Sequence, residues 1–228
     1  MCGRYTLTKP AQEVKKRFHL IPEMEASSYN PFYNGAPTQL LPVISNTDSS
    51  SLSYFRWGII PSWAKEIGTA STFNARSESV LEKASFEKAF EQHPCLVIAD
   101  GYYEWQTQGK NKLPFRITLN RGELFAMAGI WDKWITPQGE DLYSFSVLTV
   151  PANSKLSSIH ERMPVILPVE REGDWLEEMS VEERKAFLQS APSEWFDYYP
   201  VSSKVGNVRN NDVSLIQPIQ RGTQGSLF

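Results

Sequence analysis

The chain has 228 residues, a net charge of −3, 41% hydrophobic content and seven tryptophans. That is enough apolar material for an ordered core, and the slightly acidic balance argues against a generally basic nucleic-acid coat while leaving room for a local basic groove. No charged leader with an apolar run and no membrane-length apolar stretch is legible, and two cysteines make neither a disulfide framework nor a Cys-based zinc site. An intracellular, cytoplasmic protein with reduced thiols, no metal and no cofactor is expected.

The first ten residues, MCGRYTLTKP, read as polar and turn-like. A helix is expected over 11–20, with Val14 and Phe18 four apart and Pro10 at its start. Strands are expected at 40–45 and 52–60, joined by a polar loop, SNTDSSS, at 45–51. A second amphipathic helix is expected over 82–93, carrying Phe86 and Phe90. Further strands follow at 95–100, 102–106, 115–119, 124–131, 143–150 and 164–168, then two short helices at 169–179 and 180–190. Strands and helices do not alternate, which disfavours a doubly wound parallel sheet. The expected fold is α+β: one domain over 2–219 built on antiparallel, partly barrel-like sheet with several peripheral helices. Residues 220–228 read as a frayed tail.

Five stretches carry candidate chemistry. Initiator methionine is generally removed ahead of a small residue, which would leave Cys2 with a free α-amine beside its thiol. At ordinary pKa values about 10–15% of the amine is neutral and a few per cent of the thiol is ionised at pH 7. An aldehyde meeting the pair would give an imine that the sulfur could close into a thiazolidine; the plainer alternative is a cysteine placed there by accident. Gly3 permits close backbone approach, and Arg4 offers a fork for a carboxylate or phosphate.

FNARSES (73–79) puts Asn74 and Arg76 two apart, on one side of an extended segment and suited to a sugar-phosphate backbone; taken by itself, the segment reads better as a helix start with Asn74 capping and Arg76 solvated. ADGYYEWQ (99–106) places Glu104 among Tyr102, Tyr103 and Trp105, where desolvation would raise its pKa toward acid–base use. Its alternative is a glutamate on the wet face of a half-buried strand.

In SIHERMP (158–164), His160 stands on a connection between elements, a better catalytic position than the helix flanks of His19 and His93. Glu161 either orients it or is solvated. PVSSKVGNVRNND (200–212) brings Lys204 and Arg209 into a plausible anion-binding loop or a purely structural turn. Cys95, leading an apolar run, reads as a buried inert thiol.

In this order the motifs resemble those of the SOS response-associated peptidase family, whose members process abasic sites. The resemblance rests on Cys2-Gly3-Arg4, Asn74 through Glu78, Asp100 through Trp105, His160 through Pro164 and Val205 through Val208, and extends to YNGAPTQ (33–39) and RWGIIPSW (56–63). It implies a protein that binds single-stranded DNA, associates with the nucleoid when so bound, and crosslinks itself to abasic sites through Cys2. It also implies Glu104 as the proton-transfer group at the sugar, with His160 and Asn74 holding the opened sugar. Arg4 and Arg76 would grip phosphates, Trp63 would stack beside a base, and Arg162, Lys204 and Arg209 would join the DNA contacts.

A monomer is the default expectation. Where some members carry a second tryptophan after the first, this chain has Ala64, which shrinks the aromatic wedge. The family name also implies a peptidase, with removal of the chain's own Met1 as one candidate reaction. Two readings from other classes remain: an N-terminal-nucleophile glutaminase, and a non-covalent reader of modified bases that makes no demand on Cys2.

Overall fold

The computed structural model describes residues 2–21, 29–68, 72–120 and 122–219. The expected tail at 220–228, and Met1 with its expected removal, lie outside the described residues. In chain order the strands are β1 (Tyr5–Leu7), β2 (Phe32–Gly35), β3 (Leu40–Ser45), β4 (Asp48–Trp57), β5 (Asn74–Arg76) and β6 (Pro94–Ala99). They continue as β7 (Gly101–Gln108), β8 (Asn111–Leu119), β9 (Phe125–Ile135), β10 (Asp141–Pro151), β11 (Arg162–Pro164) and β12 (Phe196–Pro200). The helices are α1 (Ala11–Arg17), α2 (Glu87–Gln92), α3 (Glu172–Leu176) and α4 (Val181–Lys185).

Two sheets organise the molecule. One is wholly antiparallel, in the order β12-β8-β7-β1-β2. The other runs β4-β3-β6-β9-β10 and closes into a ring because β10 also pairs with β4 in parallel. Beyond the ring, β10 takes β5 in parallel at Val147–Thr149 and β11 antiparallel at Thr149–Pro151. The α+β, partly barrel-like expectation is therefore borne out. Val43, Val97, Met127 and Phe145 are fully buried in the core, and Trp175 of α3 donates its indole N–H to the Cys95 carbonyl of β6 at 3.1 Å.

Several expected boundaries shift for local reasons. The serine-rich 45–51 stretch is not a loop: Asn46 and Thr47 alone make the turn, and β4 starts at Asp48, whose carboxylate accepts from the Ser50 N–H at 2.9 Å. The opening segment is not all turn, since Thr6 of β1 lies between β2 and β7. Helix α1 stops at Arg17 because His19 takes a left-handed φ of 53° and Leu20 N–H returns to the Lys15 carbonyl, a usual helix exit. The expected strand at 164–168 switches neighbours midway: Val165 N–H bonds Leu148 of β10, while Leu167 N–H bonds Ala126 of β9. Of the helix expected over 180–190, α4 covers only Val181–Lys185, and it starts from a capping box of Ser180 and Glu183.

The corner between the sheets is polar and buried. Asp100 ends β6 and accepts hydrogen bonds from the Thr6 hydroxyl (2.5 Å), the Thr8 N–H (2.8 Å) and Arg116 of β8 (3.3 Å). Gly101 leaves room for that guanidinium, because a Cβ there would lie 2.9 Å from Arg116 Nε. Removing Asp100 would leave Arg116 buried without its anion, so Asp100→Ala is expected to cost about 3–5 kcal/mol, read as a drop in the urea midpoint. A loss under 1 kcal/mol would show that the corner does not depend on this pair.

Candidate active site

Cys2 is fully buried just ahead of β1, at the seam where the open sheet meets β5. Asn74 on β5 donates its amide N–H to the Cys2 carbonyl at 2.8 Å. The Arg4 carbonyl accepts from Tyr103 N–H at 2.9 Å and draws the N-terminal segment along β7. Tyr5 of β1 stands opposite Tyr102 of β7 in register, so their side chains share a face with Glu104 two residues on.

Glu104 is only 3% exposed. Burial pushes its carboxyl from the usual 4.5 up to about 7, so at neutral pH its acid and base forms are both populated. The solvated alternative fails because both faces of β7 are covered. Tyr103, on the other face, packs with Val201, Val205 and Leu215 and donates its hydroxyl to the Tyr33 carbonyl at 2.8 Å.

The thiol differs from its sequence-based expectation. Burial, seconded by the nearby charge of Glu104, holds the Cys2 thiol far above its ordinary range. A few per cent of thiolate at pH 7 is therefore not available, and the sulfur rests as S–H. Cys95 is likewise buried, its thiol pushed up by burial alone.

His160 precedes β11. Its Nδ1 lies against the Arg162 backbone, 3.0 Å from the N–H and 3.3 Å from the carbonyl oxygen, so the ring is oriented there whichever nitrogen carries its proton. Burial lowers its pKa below the usual imidazole value. Gln106, two residues beyond Glu104, donates to the Ser158 carbonyl at 2.8 Å, so the His160 loop rests on the strand that carries Glu104. His93 caps α2 and stacks on Trp131 at 4.6 Å between centroids, a packing role.

The basic candidates divide. Arg4 is half-buried and bonds the Gly3 carbonyl at 2.7 Å, with its Nε buried and lacking a partner. Arg76 is exposed at the end of β5, two residues from Asn74. Arg162 is placed differently: it is buried and paired fork to fork with Glu78, and its Nη2 also reaches the Thr149 carbonyl at 2.6 Å.

Lys204 and Arg209 are exposed on the late loop. That loop is tied to β2 by Asn34, whose amide N–H group bonds the Val205, Asn207 and Asn210 carbonyls at 3.2, 3.1 and 2.9 Å. Trp63 is 63% exposed and lines a cavity of about 570 Å3 with Ala64, Trp57, Ile60 and Phe73, the residue before Asn74. A larger cavity of about 800 Å3 lies around the Arg17–Glu172 ion pair, and none of these candidates lines it.

Sequence reasoning missed the hydroxyls of Tyr5 and Tyr102, both buried without a hydrogen-bond partner, and both near enough to Cys2 for a charge there to raise their pKa further. The alternation Tyr102-x-Glu104 was the available signal. Among the described residues no cluster of three or more His, Cys, Asp or Glu side chains could hold a metal ion, and no helix is long and apolar enough to cross a membrane.

Comparison with known proteins shows what the whole chain is similar to. Residues 1–208 match the family model described as SOS response associated peptidase (SRAP). The chain is 38% identical over 223 residues to abasic site processing protein YoqW of Bacillus subtilis, covering 95% of this chain and 99% of that protein. It is 34% identical over 259 residues to abasic site processing protein HMCES of Xenopus tropicalis, covering 92% and 76%. A crystal structure of a Bacteroides thetaiotaomicron protein superposes with a TM-score of 0.87 at 28% identity, covering 96% of this chain and all of that one.

Proposed function

The chain belongs to the SOS response associated peptidase family, and on that premise we propose that it processes abasic sites by joining Cys2 covalently to them in single-stranded DNA. The observation that carries the proposal is the buried seam itself. It sets a cysteine one residue from the chain's start beside a carboxyl of pKa about 7 and an amide fixed on its carbonyl.

An abasic deoxyribose interconverts between a closed hemiacetal and an open aldehyde. Glu104 relays the proton between the anomeric hydroxyl and the ring oxygen, opening the sugar. The neutral α-amine of a Cys2 freed from Met1 attacks the aldehyde carbon, and loss of water leaves an imine. The Cys2 sulfur then adds to that carbon, its proton passes to nitrogen, and a thiazolidine results; the sum is one water lost. Because the sulfur closes the ring by adding to the imine carbon, the amine acts first and the sulfur second. Asn74 and His160 hold the opened sugar.

Arg4 and Arg76 take flanking phosphates, with Lys204 and Arg209 farther along the strand, and Trp63 supports a base. The same Cys2–Glu104–His160 set would serve hydrolysis of the Met1–Cys2 bond, the peptidase reading of the family's name. Its test is the intact mass of purified Glu104→Gln: retained Met1 supports self-processing, and Met1 cleanly absent removes Glu104 from that reaction.

Trp63→Ala is expected to weaken binding of an abasic-site oligonucleotide by about 1–3 kcal/mol, measured by fluorescence anisotropy. The crosslinking rate at saturating DNA should stay near that of the wild type. Unchanged affinity would remove Trp63 from the DNA surface.

A further inference from the structure

We propose that Glu78 is a positioning residue for this site: by gripping Arg162 it holds the His160 imidazole in one orientation next to the Asn74 strand. The inference rests on the crosslinking reading above. Strand β5, which carries Asn74, runs directly into the turn Ser77–Ser79 that carries Glu78. Both carboxylate oxygens of Glu78 accept from the two terminal nitrogens of Arg162. Arg162 Nη2 also bonds the Thr149 carbonyl, and the Arg162 backbone N–H lies 3.0 Å from His160 Nδ1.

Thr149 is paired with Arg76 of β5 and with Pro164 of β11. The ion pair therefore clasps the point where the Asn74 strand, its neighbour β10 and the His160 segment meet. A bidentate carboxylate–guanidinium pair fixes orientation as well as charge. Arg162 depends on it, because its side chain is 9% exposed and its Nε has no partner. Without Glu78 the buried cation would turn toward water and carry the 160–162 backbone with it, and the imidazole would lose the backbone groups that hold its Nδ1.

The Glu78 side chain is 53% exposed, but Arg162 is buried and its hydrogen bonds hold the Glu78 carboxyl down at about 2, so the pair also contributes to folding. Its position, spanning two elements of the site, is what the pair serves.

The test uses full-length wild type, Glu78→Gln and Glu78→Ala, each with Met1 removal verified by mass. Three quantities are read: crosslinking rate to a single-stranded abasic-site oligonucleotide at saturation, affinity for the same oligonucleotide bearing unreactive tetrahydrofuran, and the 15N shifts of His160. Glu78→Ala is expected to crosslink about tenfold more slowly, as loss of one oriented group would give, with Glu78→Gln between it and wild type. Affinity should stay within about twofold, the change expected of a group outside the phosphate contacts, while the His160 shifts move away from their wild-type values as Nδ1 leaves the Arg162 backbone.

Unchanged rates overturn the proposal. So does a slower rate with unchanged His160 shifts, or one accounted for by lost affinity. Were wild type itself to give no adduct, the crosslinking reading would fail, and the His160 shifts alone would decide the role of Glu78. Should Glu78→Ala not fold, the isosteric Glu78→Gln answers the same question.

Discussion

Glu104→Gln, its Met1 removal verified by mass, is expected to slow crosslinking by about 10²–10⁴, the range that a positioned proton-transfer group supplies, while leaving DNA affinity nearly unchanged. The wild-type rate should show an ionisation near pH 7 that the variant lacks. The same substitution should stabilise the fold. The folded carboxyl titrates near 7 against an ordinary 4.5, so between those values the native state keeps a proton that the unfolded chain releases. Stability attributable to Glu104 therefore falls as pH rises through that window and is flat above it.

At about 1.4 kcal/mol per pKa unit the total is about 3 kcal/mol, a ceiling from which burial of the neutral amide subtracts. Urea denaturation at pH 5 and pH 8 measures it. Burial also lowers the pKa of His93 and of His160 on folding, so the quantity of interest is the difference between variant and wild type. That difference should grow toward pH 8. Equal pH slopes for the two proteins would mean that Glu104 is an ordinary carboxylate.

The second large effect separates amine from sulfur. Cys2→Ala keeps the α-amine of a processed chain and removes the thiol. The account predicts no adduct that survives denaturation, yet an imine that borohydride traps. A protein retaining Met1 should give neither, because its Cys2 nitrogen lies in a peptide bond. Stable adduct from Cys2→Ala would assign the linkage to another nucleophile, and stable adduct from the Met1-retaining protein would overturn the amine-first order.

The runs that announced themselves as strands became β3, β4, β6, β7, β8, β9 and β10, and in β3, β6, β9 and β10 apolar residues are buried on both faces of a ring. Strands β1 and β12 did not announce themselves. Tyr5–Leu7 is three residues long with a threonine at its centre, and what makes it a strand is Asp100, 94 residues away, holding the Thr6 hydroxyl.

Glu104 was ambiguous for a related reason. Alternation along 102–105 shows two faces but not which is dry, and the segment that covers the second face comes from Val201, Val205 and Leu215. The Cys2 thiol was misjudged because free-peptide ionisation ignores burial, a tertiary property. Glu78, set between two serines, reads as a solvated charge until Arg162 is seen against it. The motif residues themselves were legible, and folding sets Cys2 beside Asn74 and the His160 loop against the Glu104 strand.

The most direct test of the central claim is the intact mass of the product formed by wild-type protein and a single-stranded oligonucleotide bearing one abasic site, after denaturation. The account predicts one species: protein lacking Met1, plus oligonucleotide, minus one water, with the modified residue mapping to Cys2. No adduct from a protein whose free Cys2 terminus has been verified would contradict it, as would an adduct mapping elsewhere.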